Sequence, residues 1–143
     1  MKKILLFISF FLGIHILLFS QENTSITFLL EIHNVIPEKG KIHGGIYCSG
    51  KSYKNRIHDI PLEYNTTGEI ISKNITLPVG AYLISFYQDL DNDGKCKTGL
   101  FGIPKEPVGI TNWNGSGVPG SFENLKIQID STTKKIVIVL YTL

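Results

Sequence analysis

The sequence predicts an all-β fold, a single antiparallel β-sandwich of immunoglobulin-like or transthyretin-like type with one long Gly/Pro-rich loop. Three observations support this prediction. Apolar and polar residues alternate along most of the chain after residue 20, as in half-buried strands. No segment there has the sustained apolar period of a long helix. Turn-forming clusters separate the alternating runs, and six or seven short strands in about 120 residues suit such a sandwich.

The first twenty residues differ from the rest, and we interpret residues 1–20 as a secretory signal peptide. A basic "MKK" start leads into an apolar run that ends at Phe19, and the small Ser20 precedes the polar Gln21. This run is slightly shorter than a membrane-spanning helix needs, so we expect cleavage after Ser20 rather than a retained anchor. Residues 21–143 would then form one domain, exported to the periplasm, the cell surface or the medium.

The charge balance disfavours two classes of partner. The whole chain has 14 basic and 12 acidic residues, and the leader contains two lysines and no acid, so cleavage leaves 12 of each. The sequence has no basic patch that would attract nucleic acid and no polybasic run that would bind a membrane surface. We expect a monomer without a membrane span, whose partner is another protein or a component of the cell envelope.

Five runs with alternating character are predicted as strands. In chain order they are "SITFLLEIH" (25–33), "KIHGGIYC" (41–48), "EIISKNITL" (69–77), "AYLISFYQ" (81–88) and "LKIQID" (125–130). A sixth, "KIVIVLYTL" (135–143), is apolar on both faces and is predicted as a central strand. The turn signals "IPEKG", "CSGKS", "NTTG" and "LPVG" lie between the earlier runs.

The long loop is the segment from Asp89 to Phe122, which holds seven of the 14 glycines and three of the six prolines. Loops of this length are usually functional or disordered. This one also carries large apolar residues, namely Leu100, Phe101, Ile103, Val108, Ile110 and Trp113. We therefore expect a folded loop packed on the sandwich. A lone Trp is more often a packing anchor than a ligand surface, and we expect Trp113 to pack.

The run "DLDNDGK" at the start of this loop predicts a calcium site. Asp89, Asp91 and Asp93 alternate and are followed by Gly94, whose turn lets the three side chains converge. The carbonyl of Lys95 would supply a backbone oxygen, since calcium takes six to eight oxygen ligands. The alternative is an unoccupied acidic turn, because Asp and Asn favour turn geometry without any ion.

The loop is not an EF-hand, although a calcium loop in another fold remains open. Leu100 stands where an EF-hand has its bidentate Glu, and Lys97 stands where a carboxylate or water is expected. Glu106 is the candidate for a compensating carboxylate, because Pro104 and Pro107 stiffen the backbone on both sides of it. Alternatively, Glu106 makes a salt bridge or accepts backbone N–H bonds inside the loop.

The same region resembles a known family. The stretch "FYQDLDNDGKCKTGLFGIPKEPVGITNW" and the later "VPGSFENLKIQI" resemble the secreted bacterial family catalogued as domain of unknown function 2141. The resemblance covers nearly all of residues 21–143 and implies an exported β-sandwich without an established activity. Three residues depart from the family pattern: Gln88 replaces a His, Cys96 an apolar residue and Lys97 an Asp. The change at Lys97 removes a metal ligand that the resemblance would otherwise imply.

The two cysteines, Cys48 and Cys96, are both predicted to be buried. Cys48 shares a strand face with Ile42 and Ile46, and Cys96 takes the place of an inward-facing apolar residue of the family. In an exported chain they could also form one disulfide, an alternative that spacing alone leaves open.

No other motif carries comparable chemistry. His33, His43 and His58 lack neighbours at metal-ligand spacing, so we expect them to be exposed or hydrogen-bonded rather than to bind zinc. The sequence thus favours an exported, non-enzymatic binding or structural module with a weak calcium loop. The alternatives are a hydrolase-like or accessory enzyme with its site in the 89–122 loop, and a surface adhesion or assembly domain that uses a sheet edge.

Overall fold

The computed structural model describes residues 24–143, so the predicted signal peptide and its cleavage site after Ser20 lie outside it. The strands are β1 (Ser25–His33), β2 (Lys41–Tyr47), β3 (Ile60–Asn65), β4 (Ile70–Pro78), β5 (Gly80–Asp89), β6 (Val108–Ile110), β7 (Ile127–Ile129) and β8 (Lys135–Val139). Two short helices are α1 (Gly50–Asn55) and α2 (Phe122–Leu125), and a 3-10 turn covers Leu100–Gly102. The predicted all-β class is confirmed. Between residues 24 and 143, no helix is long and apolar enough to cross a membrane.

The strands form two sheets. One has the order β4-β1-β8, and the other has the order β3-β2-β5-β6, with β7 also paired to β5. Every pairing is antiparallel except that of β1 with β8, in which Leu29 pairs with Lys135 and the strands run parallel. The prediction of a wholly antiparallel fold is therefore wrong at this pair, because alternation along a strand carries no information about the direction of its neighbour.

One buried apolar cluster contains side chains from both sheets. Its members in four of the strands are Phe28, Leu30 and Ile32 of β1, Ile42 and Ile46 of β2, Ile84 and Phe86 of β5, and Ile138 of β8. These residues follow the period of two, as expected for strands with one buried face. The other face of β2 and β5 is covered at one end by the helices, in a second cluster of Tyr47, Leu83, Phe122 and Leu125.

Backbone contacts join the two sheets along one side. Val108 of β6 donates its N–H to the carbonyl of Tyr141 at 2.9 Å, and Tyr141 donates back to Val108 at 2.8 Å. Beside this bridge, a Cβ atom at Gly109 would lie 2.5 Å from the carbonyl oxygen of Val139. Glycine at this position allows the two strands to approach each other closely.

Two predicted elements differ from the observed ones. The run at 135–143 is an edge strand rather than a central one, since β8 has only β1 as a strand partner and ends at Val139. The long segment after Asp89 is not a continuous loop, because the 3-10 turn and β6 interrupt it. Trp113 packs against the helix-covered cluster, and its ring meets that of Tyr141 edge-on at 5.9 Å.

The prediction that both cysteines are buried is wrong for Cys48. Strand β2 ends at Tyr47, so the alternation stops before Cys48, which is exposed and donates its backbone N–H to Asp59 at 2.6 Å. Cys96 is half-buried, and both are free thiols in this structure.

Candidate metal centre

The acidic loop begins at the last residue of a rigid strand. Asp89 ends β5, and its side chain is completely buried. Its two carboxylate oxygens accept the backbone N–H groups of Asp93 at 3.2 Å and Gly94 at 2.7 Å. Gly94 has a φ of +77°, a conformation that glycine adopts without strain. The Asp89 carboxylate therefore fixes the turn that follows it.

Glu106 holds the same turn from its other side. Its side chain is 3 % exposed, and its two oxygens accept the N–H groups of Leu90 and Lys97, each at 2.9 Å. These two amides stand at the two ends of the acidic turn, so one carboxylate closes it. The alternative role considered for Glu106, as an acceptor of loop N–H groups, is what the structure shows.

Three carboxylates meet at this turn. One oxygen from each of Asp89, Asp91 and Glu106 lies within 4.8 Å of the others, and we call these three residues the acidic centre. Asp89 and Glu106 are buried, whereas Asp91 is exposed. A carboxylate oxygen has two lone pairs, so an oxygen that accepts one N–H bond can still bind a cation.

The other predicted ligands lie outside the acidic centre. Asp93 turns one oxygen to the backbone N–H of Lys95 at 2.9 Å. The carbonyl of Lys95 stays a predicted ligand. Of the proposed set, the structure brings Glu106 together with Asp89 and Asp91, although Glu106 is far from them in sequence.

A lysine side chain occupies the approach to the acidic centre. The ammonium group of Lys97 contacts an oxygen of Asp91 and lies 3.8 Å from an oxygen of Asp93. The side chains of Lys97 and Asp91 are 47 % and 46 % exposed, so solvent screens the pair. The ammonium group of Lys97 thus neutralises Asp91 at the position where a bound metal ion would contact this carboxylate.

The acidic centre continues into the sheet through His43. Its Nε2 lies 3.7 Å from a carboxylate oxygen of Asp89, and its Nδ1 lies 3.4 Å from one of Glu63. The His43 ring stacks on Tyr87 with 5.6 Å between centroids. Strand register produces these contacts, since His43 pairs with Glu63 of β3 and Tyr87 of β5.

Two titratable side chains beside the acidic centre, Tyr87 and Cys96, have raised pKa values, first from burial and then from nearby negative charge. Burial, followed by the charges of Asp89, Cys96 and Glu106, raises the pKa of Tyr87 to about 12. Burial and the charge of Glu106 raise the pKa of the Cys96 thiol to about 11. In both groups burial disfavours the anion first, and the negative charge already present disfavours it further.

A surface groove of about 320 Å³ lies beside the acidic centre on β2, β3 and β5. Its lining residues are His43, Gly44, His58, Pro61, Leu62, Glu63 and Tyr87. The expectation that every histidine is exposed or hydrogen-bonded is wrong for His58, whose Nε2 is buried without a partner in the described part of the chain. The lining holds four acid–base groups, namely His43, His58, Glu63 and Tyr87, and no Ser, Thr or Cys.

A family described as "Uncharacterized protein conserved in bacteria (DUF2141)" matches residues 30–137. The chain belongs to this family. The DUF2141 match begins within β1, ends within β8 and contains the whole acidic centre. No curated protein and no solved structure gives a significant match.

Proposed function

We propose that this DUF2141 protein is an exported, non-enzymatic β-sandwich module, immunoglobulin-like or transthyretin-like, that binds a protein or another component of the cell envelope as a monomer. The core cluster with residues from both sheets supports the sandwich. The apolar leader-like segment in residues 1–20 supports export.

We further propose that the acidic centre binds calcium and that the ion organises the long segment after β5. The observation that carries this proposal is the convergence of three carboxylates within 4.8 Å, two of them buried. At an effective dielectric constant of about 20, two such charges repel each other by roughly 3 kcal/mol. Backbone N–H groups and Lys97 offset part of this repulsion, and a divalent cation would offset it more fully.

Asp89, Asp91 and Glu106 would hold the ion, with Asp93 and the Lys95 carbonyl as further oxygen ligands. Calcium is favoured over zinc because every one of these ligands is an oxygen. Lys97 must leave Asp91 for the ion to bind, which costs affinity. We therefore expect a dissociation constant of about 10⁻⁴ to 10⁻³ M, as in extracellular calcium modules.

The test is thermal unfolding of the purified protein in millimolar calcium and in chelator. An ion that binds only the folded state should stabilise the parent by about 1 to 3 kcal/mol once calcium exceeds the dissociation constant 10- to 100-fold. Asp91→Asn should remove most of this gain. Lys97→Gln should enlarge it at low calcium, because the competing ammonium group is gone.

Glu123→Gln is the matched control, since it removes an exposed carboxylate on α2 that is paired with Lys126, the residue that follows the helix. It should leave the calcium effect unchanged. If the melting temperature of the parent protein does not change with calcium, the calcium proposal is overturned. The acidic centre is then a turn without a metal ion, neutralised by Lys97 and the backbone donors.

A further inference from the structure

Residues 97–105, called the tongue below, form a small hairpin directly after the acidic turn. Lys105 donates its backbone N–H to the carbonyl of Lys97 at 2.8 Å, and Gly99 donates to the carbonyl of Ile103 at 2.7 Å. The 3-10 turn closes the tip. The amide of Lys97 is also held by the buried carboxylate of Glu106. The acidic centre therefore fixes the base of the tongue.

The tip of the tongue is apolar and faces solvent. Leu100 is 83 % exposed and Ile103 is 50 % exposed. Leu143, 47 % exposed, shares a surface groove of about 480 Å³ with them. Apolar side chains grouped on a surface in this way mark interaction sites more often than scattered ones do. The hydrogen bonds of the hairpin keep these side chains out of the core.

Lysines stand behind this apolar tip. Lys95 and Lys105 take part in no salt bridge within residues 24–143, whereas Lys97 is paired with Asp91. The side chain of Lys105 runs along the tongue, because its Cε would lie 3.1 Å from a Cβ atom at Gly99. A lysine stem laid along apolar surface carries its ammonium group to a polar boundary.

We propose that the tongue docks on an anionic lipid surface. Leu100 and Ile103 enter the boundary between headgroups and acyl chains, and Lys105 and Lys95 pair with lipid phosphates. Apolar side chains at the tip with ammonium groups behind them match the order of acyl chains and phosphates in a bilayer. The sequence alone shows no polybasic run, and the hairpin brings Lys105 beside the exposed apolar side chains, whereas Lys95 stands just before the base of the tongue.

The acidic centre adds a condition that rests on the proposed function. Asp91 and Asp93 are exposed near the base of the tongue, and their charges repel lipid phosphates. Calcium at the acidic centre removes this repulsion, so docking is stronger with calcium than with chelator. The acidic centre and the tongue thereby act as one calcium-dependent surface.

The experiment is co-sedimentation of the purified protein with phosphatidylcholine vesicles, with and without phosphatidylglycerol, in calcium or in chelator. We expect the parent to bind the phosphatidylglycerol vesicles, more strongly in calcium. The double variant Leu100→Ser, Ile103→Ser should lose about tenfold or more in partition coefficient, because two apolar side chains no longer leave water. Lys105→Gln should weaken binding to the anionic vesicles alone.

Val79→Ser is the matched control. Val79 is 48 % exposed and precedes Gly80, so it stands at the opposite end of β5 from Asp89. This variant should bind as the parent does. A parent that binds neither vesicle, or a double variant that binds as well as the parent, overturns the docking proposal.

Calcium-dependent melting of the double variant separates the two proposals. If calcium stabilises both parent and double variant while neither binds vesicles, the metal site stands and docking is overturned. Vesicle binding that depends on the tongue could instead be equal in calcium and in chelator, with a melting temperature that does not change with calcium. In that case docking stands and the calcium proposal is overturned.

Discussion

Gln88, Asp89 and Glu106 are buried polar side chains that bond to the backbone of neighbouring loops. Gln88 is completely buried, and its amide nitrogen donates to the carbonyls of Ile36 and Lys39, each at 2.7 Å. Its amide oxygen accepts the N–H of Ile36 at 2.9 Å. Gln88 fixes the loop between β1 and β2, as Asp89 and Glu106 fix the loop after β5. Adjacent residues at the end of one strand thus order loops on both sides of it.

Asp59 makes a similar bond at the surface, and it gives a pH-dependent prediction. The N–H of Cys48, followed by the hydroxyl of Ser52, lowers the pKa of the Asp59 carboxyl. A lowered pKa stabilises the folded state above the unfolded pKa, about 3.9, and this stabilisation is lost as the pH falls through the folded value. Asp59→Asn should therefore be less stable than the parent at pH 7, with a difference that shrinks in acid.

Urea unfolding of the parent and Asp59→Asn between neutral and acidic pH measures this difference. Glu123→Gln is the control, because an exposed ion pair contributes little to stability. A deficit for Asp59→Asn that stays constant as the pH falls would contradict the charged hydrogen bond.

The sequence allowed part of the candidate site to be predicted. Alternate carboxylates before Gly94 identified Asp89 and Asp91, and the flanking prolines drew attention to Glu106. Two features had no sequence signal. The contacts of His43 come from strand register, and the contact of Lys97 with Asp91 comes from the closure of the turn. The first depends on long-range strand pairing, and the second depends on Glu106 closing the turn, and local residue patterns encode neither.

At the scale of the elements, alternation located strands better than it located their neighbours. The predicted strand 25–33 matches β1 residue for residue. Strands β3 and β6 were not predicted, since β3 has little burial and β6 has three residues next to a glycine-rich segment. Strand β8 looked central because it is apolar on both faces, yet only Ile138 in it is fully buried. Composition records how apolar a strand is, and pairing partners decide its place in a sheet.

The approach of β6 to β8 gives an element-scale prediction. Gly109→Ala would place a methyl group 2.5 Å from the carbonyl oxygen of Val139, so one strand must shift. We expect a loss of about 1 to 3 kcal/mol in the free energy of unfolding, measured by urea denaturation. Gly68→Ala is the matched control, because its nearest atom would lie at 3.9 Å. Equal stability of the two variants would show that the strands part without cost.

At the scale of the whole molecule, the balance of charge depends on the leader. Removal of residues 1–20 would leave equal numbers of acidic and basic residues, so the attraction we propose for lipid must come from local placement of lysines rather than from net charge.

The corresponding prediction is that the exported protein begins at Gln21. Intact-mass measurement or N-terminal sequencing of the protein recovered outside the cytoplasm should show this terminus, because Ser20 ends the apolar run. A full-length chain held in the membrane fraction would contradict it.

The parallel pairing of β1 with β8 has a consequence for the order of folding. The hydrogen bond from Asn34 to the Leu140 carbonyl joins residues 106 positions apart, beside that pairing. The ribosome adds about 5 to 20 residues per second, so several seconds pass between the synthesis of β1 and that of β8, the strand that completes its sheet. Until then an edge of β1 is open to other strands, so the nascent chain needs protection from aggregation before β8 emerges.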